Sequence, residues 1–260
     1  MTAAGGDLSV ARAGGVVRLT ITRERRRNAL NEGVLAGLTE ELGALREADR
    51  VVLVASEGDK VFCSGADLAV MRDDATGLET HEARGGLRRV VLAMRECPLP
   101  VVARVQGLCL AGGVGLAMGA DIVVASQAAA FGLPEVNLGI WPFMVSALLG
   151  RHVSPKVAMD LMLSGERISA QRALEVGLIS RVVPASALDE VIEQLCAALA
   201  AKAPVAVRLG KAAFHAAQEA TLAAGLEAMQ AQLSLLTQTA DAAEGVGAFF
   251  AKRAPRWSGR

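Results

Sequence analysis

The sequence contains no tyrosine and only 3% aromatic residues, so aliphatic side chains must fill its core. It also lacks an excess of one charge, because 27 lysines and arginines balance 27 aspartates and glutamates. Such a chain has no broad positive field to attract a polyanion, and we expect no nucleic-acid partner. The longest charge-free stretches, residues 106–120 and 136–150, are shorter than the roughly 20 residues that span a bilayer, so we expect no membrane partner.

Cysteine is scarce and scattered. The four cysteines show no CxxC spacing and no histidine at ligand distance; they are Cys63, Cys97, Cys109 and Cys196. We therefore expect reduced, buried thiols and no metal site. The first residues have neither the basic nor the apolar segment of an export signal, which predicts a cytoplasmic protein.

Up to about residue 142, short β-rich runs alternate with helical patterns, which is typical of an α/β fold. The periodicity predicts strands over residues 16–22, 51–55, 100–105 and 122–125. It predicts helices over residues 32–48 and 80–95, and a further helix from a glycine-rich turn to about residue 119.

After residue 142 the β-branched runs nearly vanish and helix signals follow one another. Ser154 before Pro155, Ser169 and Ser186 are candidate N-caps, and Gly177 is a candidate helix end. Residues 186–252 are rich in Ala and Leu with i, i+3, i+4 spacing, which indicates helices packed on something larger, including another subunit. We predict a core domain over residues 1–190 and a C-terminal helical region over residues 191–260.

Two turns of small residues are candidates for binding an anionic oxygen through the backbone. In residues 61–68, Gly65 and Ala66 leave the turn uncluttered, and Asp67 can cap the helix that follows. N–H groups at such a helix start are free to bind an anion, although a plain strand-to-helix turn with an Asp cap explains this segment equally well when it is taken alone.

The second turn lies within residues 105–118, where Ala111, Gly112, Gly113 and Gly115 have no side chain that blocks the backbone N–H groups. A dinucleotide-binding turn is the obvious rival. The GxGxxG pattern read from Gly113 puts Met118 at the third glycine, and the next strand ends without an acidic residue, so we disfavour it.

Glu135 is the only carboxylate between Asp121 and Asp160, in a long apolar stretch. A lone acid in such surroundings costs free energy unless it is paired or used. Either a structural acid bonded to backbone N–H groups or a catalytic acid satisfies this requirement.

Taken together, these segments resemble the crotonase family, the enoyl-CoA hydratase/isomerase superfamily. The resemblance covers nearly the whole chain and rests on the order of six segments: Arg25-Arg-Arg-Asn-Ala-Leu30, Phe62-Cys-Ser-Gly-Ala-Asp67, Val105-Gln-Gly107 with Ala111-Gly-Gly113, Phe131-Gly-Leu-Pro-Glu135, Ser164-Gly165 with Gly177-Leu178, and Asp241 to Arg253. It implies an α/β fold with a crotonase-like spiral (superhelix) of ββα units and a C-terminal helical trimerisation region. A homotrimer or homohexamer is then expected.

The resemblance also implies roles for individual residues. Ala66 and Gly112 would supply the oxyanion hole, and Glu135 would be the catalytic acid. No separate cofactor is implied, because coenzyme A arrives as part of the acyl-CoA substrate. The implied substrate-binding residues are Arg25, Arg26, Ala29, Gly65, Ala66, Asp67, Leu68, Gly112 and Lys252, although a solvated charged surface remains an equal explanation for the two arginines.

Two departures from the family pattern bear on the reaction. The hydratases that the sequence resembles carry a glutamate where this chain has Gly115, so one of their two catalytic acids is missing. Trp141 and Phe143 stand where many hydratases have small residues, and they either narrow the acyl pocket or pack in the core. We expect an isomerase or weak hydratase of enoyl-CoA, with another crotonase reaction (thioester hydrolysis or decarboxylation) or a catalytically poor acyl-CoA-binding protein as alternatives.

Overall fold

The computed structural model describes residues 6–68 and 77–260. Strands and helices alternate through the first two thirds of the chain, and helices alone follow. The strands are β1 Leu8–Ala13, β2 Val16–Ile21, β3 Val51–Ser56, β4 Val61–Cys63, β5 Val101–Val105, β6 Leu108–Leu110, β7 Ile122–Ser126, β8 Ala130–Gly132, β9 Arg167–Ser169 and β10 Arg181–Val183. The α-helices are α1 Glu32–Gly43, α2 Gly77–Arg84, α3 Gly86–Glu96, α4 Gly112–Met118, α5 Phe143–His152, α6 Pro155–Ser164, α7 Ala170–Glu175, α8 Leu188–Ala200, α9 Pro204–Ala217, α10 Leu222–Leu236 and α11 Ala240–Phe250.

Within the described residues the strands form two sheets. The larger has the order β1-β2-β3-β5-β7-β10, with β1 antiparallel to β2 and the other neighbours parallel. The smaller has the order β4-β6-β8-β9, with β4, β6 and β8 parallel and β9 antiparallel. Successive chain segments therefore alternate between two sheets, as β3 with β4 and β5 with β6, which confirms the predicted α/β class.

Strand β3 is buried along its whole length because both faces of the larger sheet are covered. Side chains alternate across a strand, so Val52 and Val54 pack in the main core while Val51 and Leu53 face a second cluster. That second cluster contains Leu188, Ile192, Leu195 and Cys196 of α8. Helix α8 thus packs on the sheet although most of it lies beyond the predicted boundary at residue 190.

Several predicted elements are confirmed and others need correction. Ser154 and Ser169 accept hydrogen bonds from the N–H groups of Val157 and Arg172 as N-caps, and Gly177 follows the end of α7. Ser186 is not an N-cap: it lies in a short 3₁₀ helix over Ala185–Ala187, and α8 begins after Ala187 without a side-chain cap.

Two predicted helices have different bounds. The helix predicted to reach residue 48 ends at Gly43, because the Asp49 carboxylate accepts a hydrogen bond from the Arg46 N–H at 2.8 Å and fixes a turn there. The helix predicted over residues 80–95 is instead two helices, α2 and α3, separated at Gly85. Glycine has a low helix propensity and allows such a break.

The C-terminal helices α9, α10 and α11 leave large apolar side chains exposed, including Phe214, Leu222, Leu226, Leu233, Phe249 and Phe250. Helices α9 and α10 pack against each other, and α9 also contacts α3. No helix among the described residues is long and apolar enough to cross a membrane.

Candidate active site

The two candidate turns come together because β4 and β6 are parallel neighbours that end at the same edge of the smaller sheet. Gly65 follows β4 with φ +98°, and a Cβ atom added to it would lie 2.6 Å from the Ala111 Cβ and 3.2 Å from the Gly112 nitrogen. A Cβ atom added to Gly112 would lie 3.6 Å from the Ala66 nitrogen. The backbone nitrogens of Ala66 and Gly112 therefore border one small space, and no side chain at position 65 fits there.

Both N–H groups are available to a ligand. Gly112 is the first residue of α4, so its N–H has no acceptor within the helix. Ala66 forms an isolated β-bridge with Leu30, in which the Leu30 N–H donates to the Gly65 carbonyl and the Asp67 N–H donates to the Leu30 carbonyl. This pattern leaves the Ala66 N–H unused, and neither N–H donates to an acceptor in residues 6–68 or 77–260.

Ala111 holds the second turn in an unfavourable backbone conformation. Its φ of 53° and ψ of −128° lie where residues other than glycine are rare. Its own N–H donates to the Gly132 carbonyl at 2.9 Å. Strained residues of this kind cluster at functional sites, where the surrounding structure holds them in place.

Glu135 lies three residues beyond Gly132, in a short 3₁₀ helix over Pro134–Leu138. Its Oε2 atom is buried and has no hydrogen-bond partner among the described residues. Burial raises the pKa of the Glu135 carboxyl, partly offset by a hydrogen bond from its own backbone N–H. A half-buried carboxyl with a raised pKa and a buried oxygen atom that has no partner among the described residues is suited to accept and return a proton.

Apolar side chains close around Gly115. A Cβ atom added there would lie 3.2 Å from the Leu87 Cδ2 and 3.2 Å from the Val145 Cγ2. Leu87 and Val145 are 6% and 3% exposed. The same Leu87 methyl lies 3.6 Å from a Cβ placed on Gly112, so the apolar side chains that contact position 115 also extend to the second turn. Position 115 therefore has no acid and little room for one.

Cys63 ends β4 directly before the first turn, and its sulfur accepts a hydrogen bond from the Gly65 N–H at 3.4 Å. Burial raises the pKa of the Cys63 thiol to about 12. The thiol is therefore protonated at neutral pH and is a poor nucleophile. Cys63 fills space beneath the turn.

The loop after β2 packs against the first turn. Arg25 and Arg26 lie in a short 3₁₀ helix and are exposed, whereas Ala29 is buried and precedes the bridge between Leu30 and Ala66. The structure thus brings Ala29, next to Leu30, beside the first turn, and among the described residues it gives no hydrogen bond of Arg25 or Arg26 with that turn.

The side chains that hold this loop were not predicted from the sequence. Asn28 is fully buried with φ +51°; its amide donates to the carbonyls of Glu57 and Val61 and accepts from the Arg23 N–H. The Arg23 guanidinium forms an ion pair with Asp67 at 2.8 Å. One sequence feature could have indicated this role for Asn28. Asparagine adopts the left-handed backbone conformation more often than most residues, and Asn28 is the asparagine that follows the arginine-rich segment.

The remaining predicted residues are not all brought to this site. Lys252 lies just after α11 and is exposed, and its described hydrogen bond, from its N–H to the Phe249 carbonyl, is local. Leu68 is 48% exposed beside the first turn. The helix that Asp67 was predicted to cap, and part of the loop expected to shape the acyl pocket, lie outside the described residues. Trp141 packs against the main core, whereas Phe143 is 75% exposed, so core packing explains only the tryptophan.

Comparison with known proteins identifies the family of this chain. Residues 11–260 match the family described as enoyl-CoA hydratase/isomerase. The 2,3-dehydroadipyl-CoA hydratase of Escherichia coli strain K12 is 37% identical over 98% of this chain and 99% of its own length. The mitochondrial enoyl-CoA hydratase domain-containing protein 3 of Rattus norvegicus is 38% identical over 94% of this chain and 82% of its own.

Solved structures give the same result. The crystal structure of an enoyl-CoA hydratase from Mycobacterium smegmatis superposes with a TM-score of 0.93 at 35% identity, and the match covers 97% of this chain and 99% of that one. The match extends through the C-terminal helices, and it confirms the crotonase fold that the sequence predicted. The chain belongs to the enoyl-CoA hydratase/isomerase family.

Proposed function

We propose that the protein is an enzyme of acyl-CoA thioesters that shifts the double bond of 3-enoyl-CoA to the 2-position, with Glu135 as its acid-base group. The N–H groups of Ala66 and Gly112 would hold the thioester oxygen. Charge develops on that oxygen when a proton leaves C2, and each such donor typically contributes roughly 2.7–4 kcal/mol to the stability of the transition state.

The reaction needs one carboxylate. Ionised Glu135 takes a proton from C2, and the electron pair left behind spreads over the thioester oxygen and C4 as a dienolate. Protonated Glu135 then returns the proton to C4, which leaves the double bond between C2 and C3 and the carboxylate ionised again. No water is consumed.

The observation that carries this proposal is the apolar contact at position 115. Hydration needs a water molecule held for attack on C3 as well as a proton for C2, and the hydratases that the sequence resembles share these tasks between two glutamates. Here Leu87 and Val145 stand 3.2 Å from where a side chain at position 115 would begin.

A second candidate is hydration of 2-enoyl-CoA, which the names of the Escherichia coli relative and of the Mycobacterium smegmatis structure favour, since both are called hydratases. It would require an ordered water held by other groups. Thioester hydrolysis, decarboxylation and acyl-CoA binding with poor turnover use the same oxyanion hole and remain further alternatives.

Parallel assays of the purified protein with a 3-enoyl-CoA and the corresponding 2-enoyl-CoA test the proposal. We expect isomerisation to exceed hydration in kcat, and faster hydration would contradict it. Gly112→Pro removes one donor at the first helical position, where proline is tolerated, so turnover should be lost while the circular dichroism spectrum persists. Full activity of the folded variant would eliminate the oxyanion role of Gly112.

We also propose that Arg25, Arg26 and Ala29, together with Gly65, Asp67 and Leu68, contact coenzyme A, since these residues lie at the first turn or on the loop that packs against it. Lys252 would reach the same ligand from the C-terminal region, either of the same chain or of a neighbouring subunit. The exposed apolar surface of α9, α10 and α11 supports assembly into a trimer or hexamer. A cytoplasmic location fits such an enzyme.

A further inference from the structure

Arg23 has a different setting from the two exposed arginines that follow it. Its side chain is only 11% exposed. The guanidinium donates to the Ala29 carbonyl, forms an ion pair with the Asp67 carboxylate at 2.8 Å, and contacts the Asp7 carboxylate at 3.2 Å. Three of its nitrogen atoms thus bind three separate chain segments, and little of the side chain faces solvent.

Two of those partners flank the bridge that carries the Ala66 donor. Ala29 directly precedes Leu30, and Asp67 directly follows Ala66. Leu30 holds the peptide groups on both sides of Ala66, by accepting from the Asp67 N–H at 2.9 Å and donating to the Gly65 carbonyl at 2.8 Å. The guanidinium therefore links Ala29 to Asp67, while the bridge links their neighbours Leu30 and Ala66.

We propose that Arg23 is a positioning residue for the oxyanion donor, and that it keeps the Ala66 N–H directed at the thioester oxygen by holding Asp67 and Ala29 together. This inference rests on the proposed function. The Ala66 N–H is a backbone group, so its direction depends on the peptide planes around it, and a shift of about 1 Å in such a group can reduce the rate roughly 10²-fold.

The geometry requires arginine. A guanidinium has five N–H donors in a planar fork and can bind a carbonyl and two carboxylates from different directions. A lysine ammonium keeps the charge but is a single point, and it cannot reach all three partners in their present places. Arg23→Lys therefore separates loss of geometry from loss of charge, and Arg23→Met removes both.

Arg12 provides a matched control. It is also a mostly buried arginine, 19% exposed, with two carboxylate partners, Glu41 at 2.6 Å and Asp49 at 3.5 Å. It lies on β1, and its partners belong to α1 and the turn after it. Arg12→Lys and Arg12→Met should lower the melting temperature much as the Arg23 variants do, because each weakens a partly buried ion pair.

The first measurement is kcat and KM on the enoyl-CoA substrate that the wild type turns over. We expect both Arg23 variants to lose 10–100-fold in kcat with less than a threefold change in KM, and the Arg12 variants to keep kcat within twofold. Equal losses in the Arg12 and Arg23 variants would mean that general destabilisation explains the effect and would overturn the proposal.

The second measurement is calorimetric binding of acetoacetyl-CoA and of free coenzyme A, since only the thioester can place an oxygen between the donors. The wild type should bind the thioester more tightly than coenzyme A, and the Arg23 variants should lose at least tenfold of that preference. If the wild type shows no preference, the proposed function fails. If the wild-type preference persists in both Arg23 variants, the positioning role fails.

Discussion

The N–H of Ala111 donates to the carbonyl of Gly132 over 2.9 Å, and this bond joins the turn that ends in Gly112 to the strand end that leads to Glu135. Both elements come from adjacent strands of the smaller sheet, β6 and β8. The candidate oxyanion donor and the candidate acid are therefore fixed to each other through backbone.

Glu135→Gln should lower turnover by roughly 10²–10⁴-fold with substrate affinity little changed, which is the usual contribution of general acid-base catalysis. In the wild type, burial raises the Glu135 pKa, so the acid limb of the kcat/KM profile should lie above the range of an ordinary carboxyl. Initial rates of the wild type and the variant across the pH range measure the loss of turnover and the position of the acid limb. Unchanged turnover in the variant would remove Glu135 from the mechanism.

The same substitution should leave the protein at least as stable at pH 7. A carboxyl whose pKa is raised by folding favours the folded state when protonated, and that contribution is lost as pH rises through the folded-state pKa. Glutamine stays neutral, so the advantage of the variant in urea unfolding should shrink as the pH falls towards 4. A variant that is less stable at pH 7 would show that the buried carboxylate has stabilising partners.

Gly115→Glu alone should not produce a faster hydratase, because its Cβ would contact Leu87 and Val145 at 3.2 Å and the carboxyl would have no room. Combining it with Leu87→Ala makes space, and the ratio of hydration to isomerisation should then rise at least tenfold. Gly150→Glu is the control, since a Cβ there meets nothing within 4 Å. If the single Gly115 variant already hydrates efficiently, Leu87 and Val145 do not limit the reaction.

Ala111→Gly should stabilise the protein by about 1 kcal/mol. The strain of a positive φ costs of order 1–3 kcal/mol, and the extra chain entropy of glycine offsets roughly 0.5–1 kcal/mol of the gain. Denaturant unfolding measures the difference, with Ala117→Gly in the interior of α4 as a control that should destabilise. Destabilisation by Ala111→Gly would mean that the turn tolerates alanine without strain.

Light scattering should give a mass that is a multiple of 26.9 kDa, because Leu222, Phe249 and Phe250 are 78–80% exposed in the single chain. Phe249→Asp should shift the protein towards smaller species. Gln171→Glu, at an exposed site on α7, should leave the mass unchanged. A wild-type monomer at micromolar concentration would contradict assembly through these helices.

The larger sheet was largely predictable because its strands carry their own signal. Short valine-rich runs such as those of β3 and β5 favour buried strands over helices. Strand β1 was missed because its residues are half exposed and lack such a run. Strands β4, β6, β8 and β9 have three residues each and exist only through pairing with distant segments, which local patterns do not record.

The site was predictable to a similar degree. Small residues at positions 65, 66 and 112 indicated exposed backbone donors, and the isolation of Glu135 in an apolar stretch indicated a perturbed acid, a pKa shift that the structure supports. The contacts of Arg23, Asn28 and Leu87 were not predictable, since each joins segments far apart in the chain. Whether position 115 has space depends on α3 and α5 together, and no single segment contains that information.

The parallel pairing of β4 with β6 has a consequence for how such a protein can diverge. Strand spacing, about 4.8 Å in any sheet, sets how far apart the ends of β4 and β6 lie, and the two candidate donor turns start from those ends. Under the proposed function, recognition of the thioester carbonyl would depend mainly on backbone N–H groups and would tolerate most side-chain substitutions. Substitutions around positions 87, 115 and 135 would then change the reaction, while the proposed binding of the thioester oxygen by the two backbone N–H groups would be retained.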